Sequence, residues 1–146
     1  RIKGAIPYLS ETFFSEIRQY FASHLVVCMA LDETTPMAGS ISFQKGDHLY
    51  GRYWGCLDHA EFLHFELCYY RLIEWALKKG LKRFEAGAQG AHKLKRGFLP
   101  TETYSGHWLR HPGLSRAIEN YLVEESLGVR EEIRYFEAKT PFKRGT

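Results

Sequence analysis

MAGSISFQKGDHLYGRYWG, residues 37–55, holds two runs of alternating apolar and polar residues on either side of Lys45, Gly46 and Asp47. A period of two predicts strands, and KGD between them predicts a tight turn, so the segment is expected to fold as an antiparallel hairpin. Immediately upstream, HLVVCMAL at 24–31 is a short apolar run with β-branched residues, bounded by the turn-forming DETTP. It is expected to be a buried strand. Earlier still, Ser10 followed by ETFFSEIRQYFA predicts an N-capped short helix with Phe13, Phe14, Ile17, Tyr20 and Phe21 on one side.

Downstream of the hairpin, a helix is expected from about Ala60 to Lys79, ending at Gly80 after two lysines. A 100° step sets Phe62, Phe65, Tyr69, Tyr70, Ile73, Ala76 and Leu77 on one broad face, with Glu66 in its middle, and His64, Arg71, Glu74 and Lys78 opposite. LKRFEA, residues 81–86, returns to strand character after that helix, which predicts a parallel or crossover addition to the hairpin sheet. The glycine-rich FEAGAQGAHKLKRGF, 84–98, follows. TETYSGHWL, 101–109, is expected as a further strand, and 111–136 as a long helix with Pro112 in its first turn. Leu114, Ile118, Tyr121, Leu122, Val129 and Ile133 fall at core-facing intervals along that helix. The predicted class is α/β (α+β): a mixed, mostly antiparallel sheet flanked by helices.

With 146 residues, 45% hydrophobic and 15% aromatic, the chain is rich enough in apolar side chains for one compact domain over 1–146. It opens with RIKGAIPYL, which has neither a leader pattern nor a long hydrophobic run, so an excerpt of a longer protein without a membrane span is expected. The three cysteines, Cys28, Cys56 and Cys68, cannot close a disulfide framework among themselves, which predicts a reducing cytoplasm. The net charge of +3 gathers at Lys78, Lys79, Lys82 and Arg83 and again at Lys93, Lys95 and Arg96. Such clusters suit a phosphate-bearing ligand, but they fall short of a nucleic-acid footprint because acidic residues nearly balance them.

Among single residues Glu66 stands out, since a carboxylate amid Phe62, Leu63, Tyr69, Tyr70 and Ile73 must be paired, be bonded by a tyrosine, or hold its proton. Either a structural role or general acid–base work follows from that burial. Glu85 lies near the carboxyl end of its strand, where α/β sheets often place ligands, or it is simply solvated. Cys56, His59, His64 and Cys68 form no CxxC or HExxH signature, so no metal site is expected. GAQGAHK, with Lys93, Lys95 and Arg96 close by, suits an anion or a solvated basic turn alike.

GRYWGC at 51–56, HFELCYYRLIEWALKKGL at 64–81, FEAGAQGAHKLKRGFLP at 84–100 and TYSGHW at 103–108 resemble the FemAB-like family of peptidoglycan biosynthesis or recognition proteins. The resemblance implies a GNAT-like acyltransferase fold, with this chain matching the C-terminal part of a longer two-unit protein and partnered by the N-terminal half. It implies N-acyl or aminoacyl transfer to a cell-wall precursor, with acyl-coenzyme A or aminoacyl-tRNA as donor. GNAT-like enzymes bind a cofactor pyrophosphate through R/Q-x-x-G-x-G/A. Here Arg52 and Gly55 fit that pattern, while Leu57 replaces its last small residue and would crowd a pyrophosphate.

The roles that follow are Glu66, Glu85 and His92 for catalysis, Arg52, Tyr53, Trp54, Gln89 and Lys93 for substrate, and Arg52 and Gly55 for cofactor, gathered around one cleft. The alternative is a non-catalytic module that stacks Tyr53, Trp54 and Trp108 on a cell-wall peptide or glycan.

Overall fold

The computed structural model describes residues 9–58, 60–87 and 91–139. They fall into two compact units, residues 1–88 and 89–146.

The first unit begins with helix α1, Glu11–Tyr20, where the Ser10 hydroxyl accepts the Phe13 N–H at 3.2 Å. A turn of 3-10 helix, Ala22–His24, leads into β1, Leu25–Asp32, followed by β2, Thr35–Lys45, and β3, His48–Cys56. A helical run over 63–78, labelled α2, precedes β4, Arg83–Glu85. The strand order is β1-β2-β3-β4, with two antiparallel ladders and then a parallel one. The hairpin forms as its sequence predicts: Lys45 pairs with His48 around Gly46 and Asp47, and Gly46 takes φ 58°, a left-handed angle that glycine adopts without penalty. The Asp47 carbonyl then receives the N–H groups of Lys82 at 2.9 Å and Arg83 at 3.3 Å, which fastens the start of β4 to the hairpin tip.

The α2 run is where the expected helix changes. It is α-helical at Leu63–Phe65, π-helical at Glu66–Tyr70 and α-helical again at Arg71–Lys78. The wider π turn carries an extra residue, so the residues before it are rotated against those after it by roughly one 100° step. A single helical wheel over 60–79 averages the two arcs and lands between them. The buried residues are Leu67, Tyr69, Leu72 and Ala76, whereas Phe62, Tyr70 and Leu77 of the expected apolar face are exposed.

Leu72 and Ala76 pack on Leu49 of β3, with Val26, Cys28, Trp75, Leu81 and Phe84 around them. Beneath the π turn the sheet presents only small buried residues, Ala38, Ser40 and Ser42. The Ser40 hydroxyl donates to the Leu67 carbonyl at 2.9 Å, whereas Ser42 Oγ has no hydrogen-bond partner among the described residues. Removing a bonded hydroxyl orphans its partner, while removing an unbonded one relieves a desolvation cost. Ser40→Ala is therefore expected to lose about 1–2 kcal/mol of stability and Ser42→Ala to lose nothing or gain up to about 1 kcal/mol. Urea titration of the two variants checks this, and equal losses would contradict it.

In the second unit a 3-10 turn, Ala91–Arg96, is followed by irregular chain and then helix α3, Pro112–Ala138. Pro112 occupies the first turn as expected, and the His111 ring accepts the Leu114 N–H at 3.2 Å. The strand expected at 101–109 does not form. Gly106 interrupts the run, no described strand pairs with it, and its polar side chains bond locally, Tyr104 to Glu102 at 2.7 Å and Ser105 to His107 at 2.8 Å. The core-facing reading of α3 is likewise corrected: no residue of the helix is buried, and Leu114, Tyr121, Leu122 and Val129 are exposed.

Candidate functional site

Strand β3 runs on past the end of β4. Their ladder holds His48↔Arg83, Leu49↔Phe84 and Tyr50↔Glu85 and stops there, while β3 continues to Cys56 beside β2 alone. The β2–β3 register slips at the same level: Ile41 faces Tyr53 and Ser42 faces Gly51, so Arg52 is the additional residue of a β-bulge. A bulge bends its strand and strengthens the local twist. Just past the last pair a Cβ on Gly51 would lie 3.5 Å from the Glu85 carbonyl oxygen and 3.6 Å from the Phe84 ring. Beyond it, alternate backbone groups of 51–56 point away from β2, along the edge past the end of β4.

The bulge and the pleat distribute the sequence-predicted residues over both faces of the sheet. Tyr53, opposite Ile41, lies on the α1 side, edge-on to Phe13 at 6.1 Å and Phe14 at 6.3 Å. Glu85, opposite Tyr50, shares that side, because directly paired residues point to one face. Trp54 lies on the other, opposite Ser40 and edge-on to His64 of α2 at 5.3 Å. Arg52 is exposed, and Gly55 has open space where a side chain would stand.

Glu66 does not sit buried in an apolar face. Its side chain is 43% exposed and pairs with Arg71 at 2.8 Å, an i, i+5 contact that the wider π turn brings onto one side of the helix. Arg71 continues to Glu74 at 3.2 Å, and Glu74 to Lys78 at 2.9 Å. Lys82 is likewise engaged, with the Asp47 carboxylate at 3.2 Å. Two lysines of the expected phosphate-attracting cluster are thus paired.

His92 and Lys93 belong to the 3-10 turn of the second unit. His92 is exposed and its carbonyl accepts from Arg96 at 2.7 Å, while burial holds the half-buried Lys93 ammonium below the usual lysine range. Gln89 and His59 lie outside the described residues.

Cys28 and Cys68 come together between β1 and α2. Burial, reinforced by the neighbouring Cys28, pushes the Cys68 thiol up to about 11, and burial raises Cys28 as well. Thiolate is the reacting species, so at pH 8 Cys68 is expected to alkylate at least about tenfold more slowly than an open cysteine such as Cys56. Iodoacetamide labelling followed by peptide mass spectrometry checks the order. Among the described residues no group of three His, Cys, Asp or Glu side chains is placed to hold a metal ion.

Two cavities flank β3. One of about 460 Å3 lies on the α1 side, over Gly39 and Gly55, walled by Val27, Met29, Ile41 and Tyr53. The other, of about 170 Å3, lies at the start of α2 among Trp54, Asp58, Phe62, His64 and Phe65. Nothing in the helical spacing signals the π turn, and the bulge is foreshadowed only by Gly51 within an otherwise regular strand pattern.

A four-stranded mixed sheet with a helix on each face and a bulge in its third strand defines an α/β protein. The chain belongs to the FemAB-like family, described as peptidoglycan biosynthesis/recognition, which it matches over residues 1–144. No curated protein and no solved structure matches it. No helix among the described residues is long and apolar enough to cross a membrane.

Proposed function

We propose that the chain is an N-acyl- or aminoacyltransferase of GNAT-like fold that modifies an amine of a cell-wall precursor. The observation that carries this reading is the bulged β3 running on beyond its last pair with β4, Tyr50↔Glu85, and the edge of 51–56 is taken as one wall of a substrate notch. Backbone N–H groups facing that notch suit a carbonyl oxygen that gains negative charge as an amine adds to it. The amine nitrogen attacks the acyl carbon, its proton passes to a carboxylate, and the donor's thiol or ribose oxygen leaves with the bonding pair.

Of the proposed proton acceptors, Glu85 stands at the last paired position before the notch, whereas Glu66 is engaged by Arg71 and is better suited to positioning. Exposed Arg52 is the proposed holder of donor phosphate, with Gly55 giving backbone access, and Tyr53 and Trp54 contact substrate from the two faces. His92 and Lys93 are proposed for the second unit as an alternative base and a binding cation.

The Leu57 N–H is already bonded to the Met37 carbonyl at 2.7 Å, which removes one donor from a pyrophosphate loop and favours an aminoacyl ester over acyl-coenzyme A. The proposed setting is the reducing cytoplasm, in company with the N-terminal half of the same protein. A second reading, as a recognition module, draws on the exposed rings of Tyr104 and Trp108. The test incubates the protein, as part of its full-length chain, with a peptidoglycan precursor and either donor, and follows the precursor's mass. Addition of one acyl or aminoacyl group supports transfer; tight binding without any mass change gives the recognition reading instead.

A further inference from the structure

The larger cavity, about 460 Å3, lies against the α1 face of the sheet and has the size of a small-molecule site. Its floor follows from the strand register. Val27, Ile41 and Tyr53 stand in one cross-strand row and Met29, Gly39 and Gly55 in the next, all on the α1 face because directly paired residues share a side. The first row is bulky. In the second, two glycines pair with each other across β2 and β3, so the floor drops to bare backbone over the width of two strands.

Neither glycine is required by its own backbone or by its neighbours. Neither takes a left-handed φ. A Cβ at Gly39 would rest in ordinary contact, 3.6 Å from the Cys28 carbonyl oxygen and 3.7 Å from the Met29 side chain, and one at Gly55 would meet nothing within 4 Å. Glycine inside a strand weakens it, and often marks a place where a ligand approaches closely. What this pair supplies is the hollow itself.

The walls decide what the hollow accepts. Among the described lining residues there is no Asp, Glu, Lys, Arg or His. Ser40 is of the opposite face, where its hydroxyl donates to the Leu67 carbonyl. An ion or a sugar would give up its water here without a charged partner, whereas an aliphatic chain would shed only apolar hydration. Val27 and Met29, 49% and 52% exposed, leave an apolar rim in water that such a chain would cover, and the flexible side chains of Met29 and Met37 adapt to an irregular shape.

We propose that this hollow binds an aliphatic chain, laid over Gly39 and Gly55 and bordered by Val27, Met29 and Tyr53. A fatty acyl chain and an isoprenoid chain share that chemistry. Capture of the chain stands on the hollow alone, and only its membership of the donor or of the precursor rests on the transfer reading above.

The experiment titrates the protein, as part of its full-length chain, with 1-hexanol, 1-octanol and 1-decanol. It follows the Gly39 and Gly55 amides by NMR, assigned through Gly39→Ala and Gly55→Val. Geraniol presents an isoprenoid chain of the same carbon count as 1-decanol, and N-acetylglucosamine a polar ligand. The expected result is a saturable shift with 1-decanol, a gain of about tenfold in affinity for each two methylenes, and no shift with N-acetylglucosamine. Tighter binding of geraniol than of 1-decanol assigns the hollow to an isoprenoid tail, and the reverse to an acyl chain. Gly55→Val, whose side chain meets open space, is expected to keep or raise the melting temperature and to weaken 1-decanol at least about tenfold. Gly39→Ala, a smaller filling, is expected to weaken it about three- to tenfold. Absence of saturation, affinity indifferent to chain length, N-acetylglucosamine binding at the same glycines, or wild-type affinity in either variant each overturns the proposal. A dimer in light scattering that Met29→Lys disperses would give the hollow to a second copy of the chain and overturn it too. Because the readout is binding, a failure here leaves the transfer reading standing, and a lack of turnover leaves the hollow standing.

Discussion

Leu49→Ala is expected to destabilise the first unit by about 3–5 kcal/mol, and Leu72→Ala by about 2–5 kcal/mol. Leu49 is 0% and Leu72 2% exposed, and they face each other across the sheet–helix contact. Truncating either removes buried methyl groups and leaves a cavity that strands held in ladders on both sides cannot readily close. Leu77→Ala provides the contrast. That residue is 74% exposed, although a uniform helix would turn it inward, and its loss is expected to cost under about 1 kcal/mol. Denaturant midpoints of the three variants decide the matter: a Leu77 effect as large as the Leu72 effect would mean that the π turn does not set the buried arc of α2.

Glu85→Gln is expected to reduce turnover about 10²–10⁴-fold while leaving precursor binding within about threefold, since an amide keeps the shape of the carboxylate and loses its basicity. Glu66→Gln is expected to cost less than about tenfold, because its carboxylate already serves Arg71. His92→Ala tests the second unit in the same assay. A large loss in Glu66→Gln with Glu85→Gln unaffected would move the proton acceptor to α2, and losses confined to His92→Ala would move it to the second unit.

Most of the first unit was legible in the sequence because its signals are local. Alternation over 37–55, the β-branched run at 24–31 and the Ser10 cap each act within a few residues, and each element appears where expected within a residue or two, although β1, expected to be buried, is an edge strand with Val27, Met29 and Leu31 exposed. Failures came where spacing depends on something the pattern does not carry. The π turn at Glu66–Tyr70 breaks the 100° step on which the burial of Glu66 was argued. TETYSGHWL has strand-like composition, yet a strand exists only with a neighbour to bond, and 101–109 has none among the described residues. The candidate site suffered similarly. Arg52, Tyr53, Trp54 and Glu85 were recognised by residue type, but the face each occupies follows from a bulge that inserts one residue into β3.

The Asp47 carbonyl, which holds the amides of both Lys82 and Arg83, gives the hairpin tip a further office. The parallel ladder has only three residue pairs, so the tip acts as its zero mark, and the depth of the notch is counted from that point. Adding one residue between Arg83 and Phe84 while the clasp held would slide the rest of β4 by a single step, turning Phe84 out of the core and Glu85 toward α2. A loop far from the chemistry thus keeps the scale by which the working carboxylate is placed.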